Sequence, residues 1–528
     1  MIPLADYHYV RDKLLHREEI ALLDIREEAP HAEAHPLFAA QFSLTRLEVD
    51  AFTRLPNRSV AIVTLDDGEG LAETAARRLI KLGYTNVRCF DGGIQAWAAA
   101  GGELFRDVNV PSKSFGEFVE AHRHTPSLSA EEVQTLLETD DNVVVVDVRR
   151  FDEYQTMSIP RGVSVPGAEL VMRVPELASD PSTRVIVNCA GRTRSIIGTQ
   201  SLINAGLPNP VCALRNGTIG WTLAGQALDR GASRQFPQPS AETLRIANER
   251  ARRVADRAGV KRCNLSEALS WRSDPGRTTY FFDPRTAQEY EQGHLPGFQW
   301  APGGQLVQET EMMAPVRGAR IVLADELGPR ANMTASWLAQ MAWDVVVIDG
   351  LSQRDLTERG SWRPSSPPLP DVRWVSPGEC DRRLADTSPA MVVDFSPHAQ
   401  YVRAHLPGAC WAMRSNLDEA LTDMSTVRLL IITAAEDAIA AYCAHELQAM
   451  LPAEVELRVL KGGLTAWKAA GKPVQEGVTR LLSPAIDRYR RPYEGTAVTP
   501  EAMQAYLDWE FGLVEQLRRD GSHHFRVI

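Results

Sequence analysis

The chain has 528 residues, 44% of them hydrophobic, and a formal net charge of −11. This length accommodates about three to five domains, and the hydrophobic fraction excludes a disordered chain. The negative charge argues against a broad nucleic-acid interface, and no stretch approaches the roughly 18 apolar residues that a membrane span needs.

The cysteines indicate a reducing environment. Seven are scattered along the chain without a Cys-x-x-Cys pair, which argues against a disulfide framework and against a zinc site. The first residues, MIPLADYHYVRDKLL, lack the apolar core of a signal peptide. We therefore expect a cytoplasmic protein without metal or cofactor that binds neither nucleic acid nor membrane. An anionic substrate would have to be attracted by a local basic cluster.

Four related units follow one another at intervals of a little over a hundred residues. Each opens with a β-rich run that ends in aspartate, and three of the four runs have arginine two positions later. The four runs are ALLDIR (21–26), VVVVDVR (143–149), YFFDPR (280–285) and MVVDF (391–395). Their nearly continuous Val, Ile and Leu content predicts strands that are buried on both faces of a sheet.

Each unit continues with a second apolar strand, a loop and a helix. These segments read VAIVTLDDGEG (60–70), VIVNCAGRTRS (185–195), RIVLADELGP (320–329) and LLIITAAEDA (429–438). A third strand and a Gly-Gly or Asn-Gly turn before an aromatic helix follow in units one, two and four, whereas the third unit keeps only Asp349-Gly350. Strands that alternate with helices predict an α/β fold with mostly parallel sheets.

Changes in composition place the boundaries of these units. We expect domains at 1–110, 111–235, 236–368 and 369–478, with a linker helix opening the third, and a C-terminal tail at 479–528. In the tail, Thr499-Pro500-Glu501 is typical of a helix start. Its apolar residues lie on one helical face, which we expect to dock on a domain. These residues are Met503, Tyr506, Leu507, Phe511, Val514 and Leu517.

The loop of unit two carries a cysteine, Cys189, directly after a strand and before a helix. Backbone N–H groups at a helix N-terminus, together with Arg192 and Arg194, favour a thiolate and a small anion. Thr193 and Ser195 either cap the helix or contact the substrate. Asp147 and Arg149 are expected to brace the loop through a hydrogen-bonded ion pair, while Trp221 and Cys212 are expected to be packing residues.

The Asp-x-Arg strand end, the cysteine loop and the Gly-Gly-x-x-x-Trp turn together resemble the rhodanese-like sulfurtransferases. The resemblance covers nearly the whole chain. It implies four tandem α/β units, each with a mostly parallel five-stranded sheet flanked by helices, and transfer of sulfane sulfur through a persulfide on the catalytic Cys189. The residues then expected to bind substrate are Ala190, Gly191, Arg192, Thr193, Arg194 and Ser195.

The implied substrates are a small anionic sulfur donor, such as thiosulfate, and a thiol or cyanide acceptor. An alternative is a sulfur-carrier scaffold that relays persulfide sulfur to a protein acceptor. Protein phosphatases of the related fold need Cys-x5-Arg, but here Cys189 and Arg194 are spaced Cys-x4-Arg and Ser195 stands at the longer spacing. The loop length therefore favours sulfur over phosphate chemistry.

The other three units lack the thiol. Alignment on the helix after the loop places Asp66, Asp325 and about Ala434 where unit two has Cys189. None of these residues can carry a persulfide, and the loops of units one and three are acidic where an anion needs donors. We expect these units to be inactive and to cover the active unit, shape its mouth or hold a partner.

Overall fold

The computed structural model describes residues 2–495 and 498–528, and it confirms four α/β units built on parallel sheets. The long central strands of the sheets are largely buried because helices cover both faces. Unit one contains the strands β1 (Leu4–Ala5), β2 (Ile20–Asp24), β3 (Ala40–Gln41), β4 (Ala61–Leu65) and β5 (Val87–Phe90). Its helices are α1 (Tyr7–Leu15), α2 (Glu28–Glu33), α3 (Leu47–Arg54), α4 (Leu71–Lys81) and α5 (Gly93–Ala99).

Unit two begins with a long helix and then repeats the same order of elements. Its strands are β6 (Ser127–Leu128), β7 (Val143–Asp147), β8 (Val163–Ser164), β9 (Arg184–Asn188) and β10 (Val211–Leu214). Its helices are α6 (Val110–Arg123), α7 (Ala130–Thr139), α8 (Phe151–Thr156), α9 (Leu170–Leu177), α10 (Thr193–Asn204) and α11 (Gly217–Leu223), with a 3₁₀ turn at Gly167–Glu169.

Unit three is preceded by the expected linker helix, which packs against helices of units two and three. Its strands are β11 (Lys261–Cys263), β12 (Thr279–Asp283), β13 (Gln299–Trp300), β14 (Val316–Arg317), β15 (Arg320–Leu323) and β16 (Asp344–Ile348). Its helices are α12 (Ala241–Arg257), α13 (Leu265–Ser270), α14 (Ala287–Gln292), α15 (Gly303–Gln308), α16 (Thr310–Met313) and α17 (Pro329–Gln340), with a 3₁₀ turn at Trp271–Ser273.

Unit four and the tail complete the chain. The strands are β17 (Trp374–Val375), β18 (Ala390–Asp394), β19 (Cys410–Trp411), β20 (Leu429–Thr433), β21 (Glu456–Leu460) and β22 (Arg480–Leu481). The helices are α18 (Pro377–Asp386), α19 (His398–Arg403), α20 (Leu417–Met424), α21 (Asp437–Met450), α22 (Gly463–Ala469), α23 (Pro500–Phe511) and α24 (Leu513–Asp520), with a 3₁₀ turn at Arg414–Asn416.

All four sheets have the same strand order. In unit two it is β6-β10-β9-β7-β8, and every pair is parallel. Two sheets gain a strand. Unit four adds β22 beside β19, and unit one receives β14 from unit three, which pairs antiparallel with the first half of β2. The carboxyl ends of β7 and β9 meet at one edge of the second sheet, where the cysteine loop lies.

The tail forms two helices instead of the single continuous face expected from its sequence. The α23 helix starts at the predicted cap, where the Thr499 side chain accepts from the backbone N–H of Ala502. Helix α23 ends at Phe511, and Gly512 separates it from α24. The prediction that Phe511 packs inward is therefore wrong: this side chain is 54% exposed, and its ring lies 4.3 Å from the guanidinium of Arg192.

No helix in the described ranges is both long enough and apolar enough to cross a membrane.

Candidate active site

The cysteine loop is held by a glycine turn from the neighbouring strand. The backbone N–H of Thr218 donates to the Cys189 carbonyl at 2.9 Å. Gly217, at the start of α11, has φ +54°, and a Cβ there would lie 2.3 Å from the same carbonyl oxygen. Only glycine tolerates both the backbone conformation and this close approach. The loop position is therefore fixed by a residue that follows it by 28 positions.

Cys189 is a buried thiol. Its side chain is 1% exposed, and Sγ donates to Ser195 Oγ at 3.4 Å, while Ser195 Oγ donates to the carbonyl of Arg192 at 2.9 Å. Burial raises the pKa of the Cys189 thiol above its ordinary value, and the charge of Arg194 opposes that rise. Burial of the sulfur therefore opposes the stabilisation of the thiolate that the sequence predicts.

The backbone N–H groups of residues 190–194 donate to no other residue within 2–495 and 498–528. A row of such donors between a strand and a helix is suited to hold an anion. Ala190 is oriented by two bonds to its carbonyl, from the Ile219 N–H and the Thr218 hydroxyl. Neither Thr193 nor Ser195 caps α10, whose N-cap position is occupied by Arg192.

Both loop arginines are held by carboxylates. Arg192 forms a two-pronged ion pair with Glu117 of α6 at 2.7 and 2.9 Å, and it also bonds Glu120. Arg194 forms a similar pair with Glu153 of α8 at 2.8 and 2.9 Å. The Arg194 charge lowers the pKa of Glu153 to about 2. Each guanidinium is therefore positioned at the loop, and part of its charge is neutralised.

Asp147 and Arg149 form a buried ion pair at the end of β7, with N···O distances of 2.9 and 2.7 Å. Asp147 also accepts from the side chain of Asn188, the residue directly before the cysteine. The same Asp-Arg pair occurs in unit one, between Asp24 and Arg26, where no cysteine loop exists. Its recurrence indicates that the pair supports the loop and is not specific to the chemistry.

Residues from distant parts of the chain cover the Cys189 thiol. A small cavity of about 20 Å³ is lined by Cys189 and residues 190–194, by α6, by the end of α15 and by the tail. The lining residues outside the loop are Ser112, Lys113, Gln308, Tyr493, Tyr506 and Glu510. The sequence placed Tyr506 on the docking face of the tail helix but indicated none of the six as neighbours of Cys189, because they approach it only through the packing of separate elements.

Lys113 places a buried cation among the residues that cover Cys189. Its ammonium group donates to Asp107 at 2.7 Å and lies 5.2 to 5.5 Å from the ring centres of Tyr493, Tyr506 and Trp509. Such rings stabilise a desolvated cation through their electron-rich faces. The tail is thereby anchored over the cysteine loop.

A larger cavity of about 580 Å³ lies between units two and three. It shares Ser112, Thr193, Arg194 and Gln308 with the small cavity around the thiol. Its walls include Phe151 and the tryptophans Trp300 and Trp337. The cysteine loop is therefore bordered by an apolar space on the side of unit three.

The sister loops fill their anion cradles with their own carboxylates. In unit one, Asp66 accepts from the backbone N–H groups of Gly68 and Ala72, both at 3.0 Å. In unit three, Asp325 accepts from the N–H groups of Leu327, Arg330 and Ala331. These backbone N–H groups are already bonded to the aspartates and are therefore not free to bind a substrate anion.

The fourth loop has no reactive group at this position. A Cβ on Gly463 would lie 2.2 Å from the carbonyl of Ala434, as one on Gly217 would lie 2.3 Å from that of Cys189. This shared contact places Ala434 at the position of the cysteine.

Comparison with known proteins shows the family to which the chain belongs. The family model for the rhodanese-like domain matches residues 8–100, 129–224 and 376–470, which are units one, two and four and together more than half of the chain. The chain therefore belongs to the rhodanese-like family, and it is an enzyme of the rhodanese type.

One solved structure matches the entire chain. It is a thiosulfate sulfurtransferase from Pseudomonas aeruginosa, 57% identical, with a TM-score of 0.98 and 100% of both chains covered. A curated relative, an HTH-type transcriptional regulator of Mycobacterium tuberculosis, is 34% identical over 90 residues, which are 17% of this chain and 39% of that protein.

Proposed function

We propose that this enzyme transfers sulfane sulfur from thiosulfate or a related persulfide donor to a thiol or cyanide through a persulfide on Cys189. The observation that carries the proposal is the contrast between the four loops. Only the loop of unit two combines a thiol with unoccupied backbone donors, whereas carboxylates fill the cradles of units one and three. The activity named for the full-length relative from Pseudomonas aeruginosa supports the same assignment.

The first half of the reaction loads the cysteine. The Cys189 thiolate forms a bond to the outer sulfur of thiosulfate, the S–S bond of the donor breaks, and sulfite leaves with the bonding electron pair. The backbone N–H groups of residues 190–194 hold the outer sulfur of the resulting persulfide anion. Arg194 supports the thiolate, since its charge lowers the pKa of Cys189.

The second half of the reaction removes the outer sulfur from Cys189. A thiol or cyanide attacks the outer sulfur, and the Cys189 thiolate is the leaving group. The sulfur-carrier alternative replaces the small acceptor by a protein thiol. With Cys189 1% exposed beneath the tail, a protein acceptor would reach the sulfur only after α23 moves away. Turnover with small acceptors in the absence of a partner protein distinguishes the two functions.

The proposal is tested by intact-mass measurement after incubation with thiosulfate. We expect the wild-type chain to gain the mass of one sulfur atom and Cys189→Ser to gain none and to lose thiosulfate:cyanide activity. Cys212→Ser is the matched control, since Cys212 is also a buried thiol of unit two, whose pKa burial raises to about 11. Sulfur loading by Cys189→Ser would disprove the assignment.

A further inference from the structure

A carboxyl group of the tail faces the cysteine loop. Glu510 of α23 is 1% exposed and lines the cavity that contains Cys189. Its Oε1 accepts from the Tyr506 hydroxyl at 2.9 Å. Its Oε2 is buried and has no hydrogen-bond partner among residues 2–495 and 498–528. A Cβ built on Gly191 would lie 3.4 Å from this free oxygen, so Oε2 lies directly against the loop.

A buried carboxyl oxygen without a partner costs free energy, so a group that uses it is expected. The remaining cavity of about 20 Å³ accepts one water-sized group beside the thiol. This space suits the outer sulfur of a persulfide. The position of Oε2 is therefore next to the atoms that change charge during sulfur transfer.

Burial keeps the Glu510 carboxyl protonated at neutral pH. Burial, followed by the nearby Glu117 carboxylate of α6, raises the pKa of Glu510 to about 8, against the opposing effects of Lys113, the Tyr506 hydroxyl and Arg192. The Tyr493 ring packs against the Tyr506 ring, with 5.4 Å between the ring centres, and lines the same cavity as Glu510. A neutral acid here does not repel an anionic sulfur donor, as a carboxylate would.

We propose that Glu510 is the acid–base residue of sulfur transfer and carries a proton from the acceptor thiol to the departing sulfite; this inference rests on the proposed function of Cys189. In loading, the Cys189 thiolate and thiosulfate give the persulfide anion, while the Glu510 carboxyl gives its proton to the leaving sulfite, which departs as hydrogen sulfite. Glu510 is left as a carboxylate.

In unloading, the Glu510 carboxylate takes the proton of the acceptor thiol. The thiol sulfur forms a bond to the outer sulfur of the persulfide, the S–S bond to Cys189 breaks, and the electron pair returns to the Cys189 thiolate. The two steps sum to thiosulfate and a thiol giving hydrogen sulfite and the anion of a small persulfide. Atoms and charges balance without an added oxidant or reductant.

The test measures loading and unloading separately, by rapid quench and intact mass, from pH 6 to about 10, around the pKa of about 8. In the wild type, the loading rate divided by the fraction of Cys189 thiolate, which is measured by alkylation, is expected to fall as pH rises through about 8, because the acid form of Glu510 is lost. In Glu510→Gln we expect loading and thiol-dependent unloading to slow by about 100-fold or more and the fall above pH 8 to vanish. Asp508→Asn makes the same carboxylate-to-amide change on the exposed face of α23 and is expected to leave both rates unchanged.

Unloading by cyanide distinguishes proton transfer by Glu510 from a purely structural role of this residue. Above the pKa of hydrogen cyanide the acceptor is an anion with no proton to remove. Its unloading rate in Glu510→Gln should then stay within about twofold of the wild type, even though unloading by a thiol is slow.

Equal loading and thiol-unloading rates in Glu510→Gln and wild type, or slow rates with an unchanged pH profile, would overturn the role of Glu510. Slow unloading by cyanide and thiol alike would also overturn it, since this would indicate a displaced loop. Sulfur loading by Cys189→Ser would instead overturn the proposed function, so the two failures are distinguishable.

Discussion

At one loop position, unit two has a thiol where units one and three have a carboxylate. Asp66 and Asp325 occupy the position of Cys189 and bind the loop amides themselves. An aspartate is a permanent anion at neutral pH and occupies the backbone N–H groups of its loop. In unit two the corresponding N–H groups are free for the persulfide anion that we propose on Cys189. Restoring a cysteine in units one or three would therefore also require their acidic neighbours to change.

The charge of Arg194 is predicted to set the reactivity of Cys189. Arg194→Gln removes the strongest influence that lowers the thiol pKa, so we expect that pKa to rise and the sulfur-loading rate at neutral pH to fall about tenfold per unit of rise. The measurement is the pH dependence of Cys189 alkylation, followed by peptide mass. Arg194→Lys keeps the charge and should shift the midpoint less. An unchanged midpoint in Arg194→Gln would contradict this role.

Features that depend on neighbouring residues could be predicted from the sequence, whereas contacts between distant segments could not. The strand, Cys189, the glycine and the arginines are adjacent in sequence, so the cysteine loop can be located from that stretch alone. Comparison of the four loop segments shows that the other three lack a cysteine at this position. Lys113 and Glu510 reach the same cavity from α6 and α23, with no spacing that signals it. The pairing of Arg194 with Glu153 likewise depends on how α8 packs.

At the level of elements, the turn between β10 and α11 supports the cysteine loop. Gly217→Ala would place a Cβ 2.3 Å from the Cys189 carbonyl, so we expect the loop to shift and the sulfur-loading rate to fall by about 100-fold, because small displacements of reacting groups have such effects. Gly225→Ala is the matched control. Gly225 also has a positive φ, +73°, but its Cβ would meet nothing within 4 Å.

Thermal unfolding separates strain from the local contact in this experiment. Both alanine variants should lose stability, since both place a side chain in the left-handed region. Only Gly217→Ala should lose sulfur loading. Equal activity of the two variants would show that the turn does not position Cys189.

The tail shows why the boundaries and faces of helices are harder to predict than their presence. The cap at Thr499 and the buried Met503, Tyr506 and Leu507 follow from the sequence pattern. The break at Gly512 changes the direction of the chain, so Phe511 lies outside the apolar face.

At the scale of the whole molecule, units two and three meet through a buried arginine. Arg330 is fully buried and forms ion pairs with Asp325 and Glu289 of its own unit and with Glu169 of unit two. Arg330→Met would leave these carboxylates buried without their cation, which typically costs about 3–5 kcal/mol. We expect a lower midpoint of urea unfolding. Arg354→Met, at an exposed position, is expected to leave the midpoint unchanged.

The strand that unit three contributes to unit one affects how the protein is made. Until Val316 and Arg317 emerge from the ribosome, the first half of β2 keeps an open edge of unpaired backbone groups. The sheet of the amino-terminal unit is therefore complete only after β14 of unit three has been synthesised. An exchange of the first unit without the strand that unit three contributes would leave this edge of β2 unpaired.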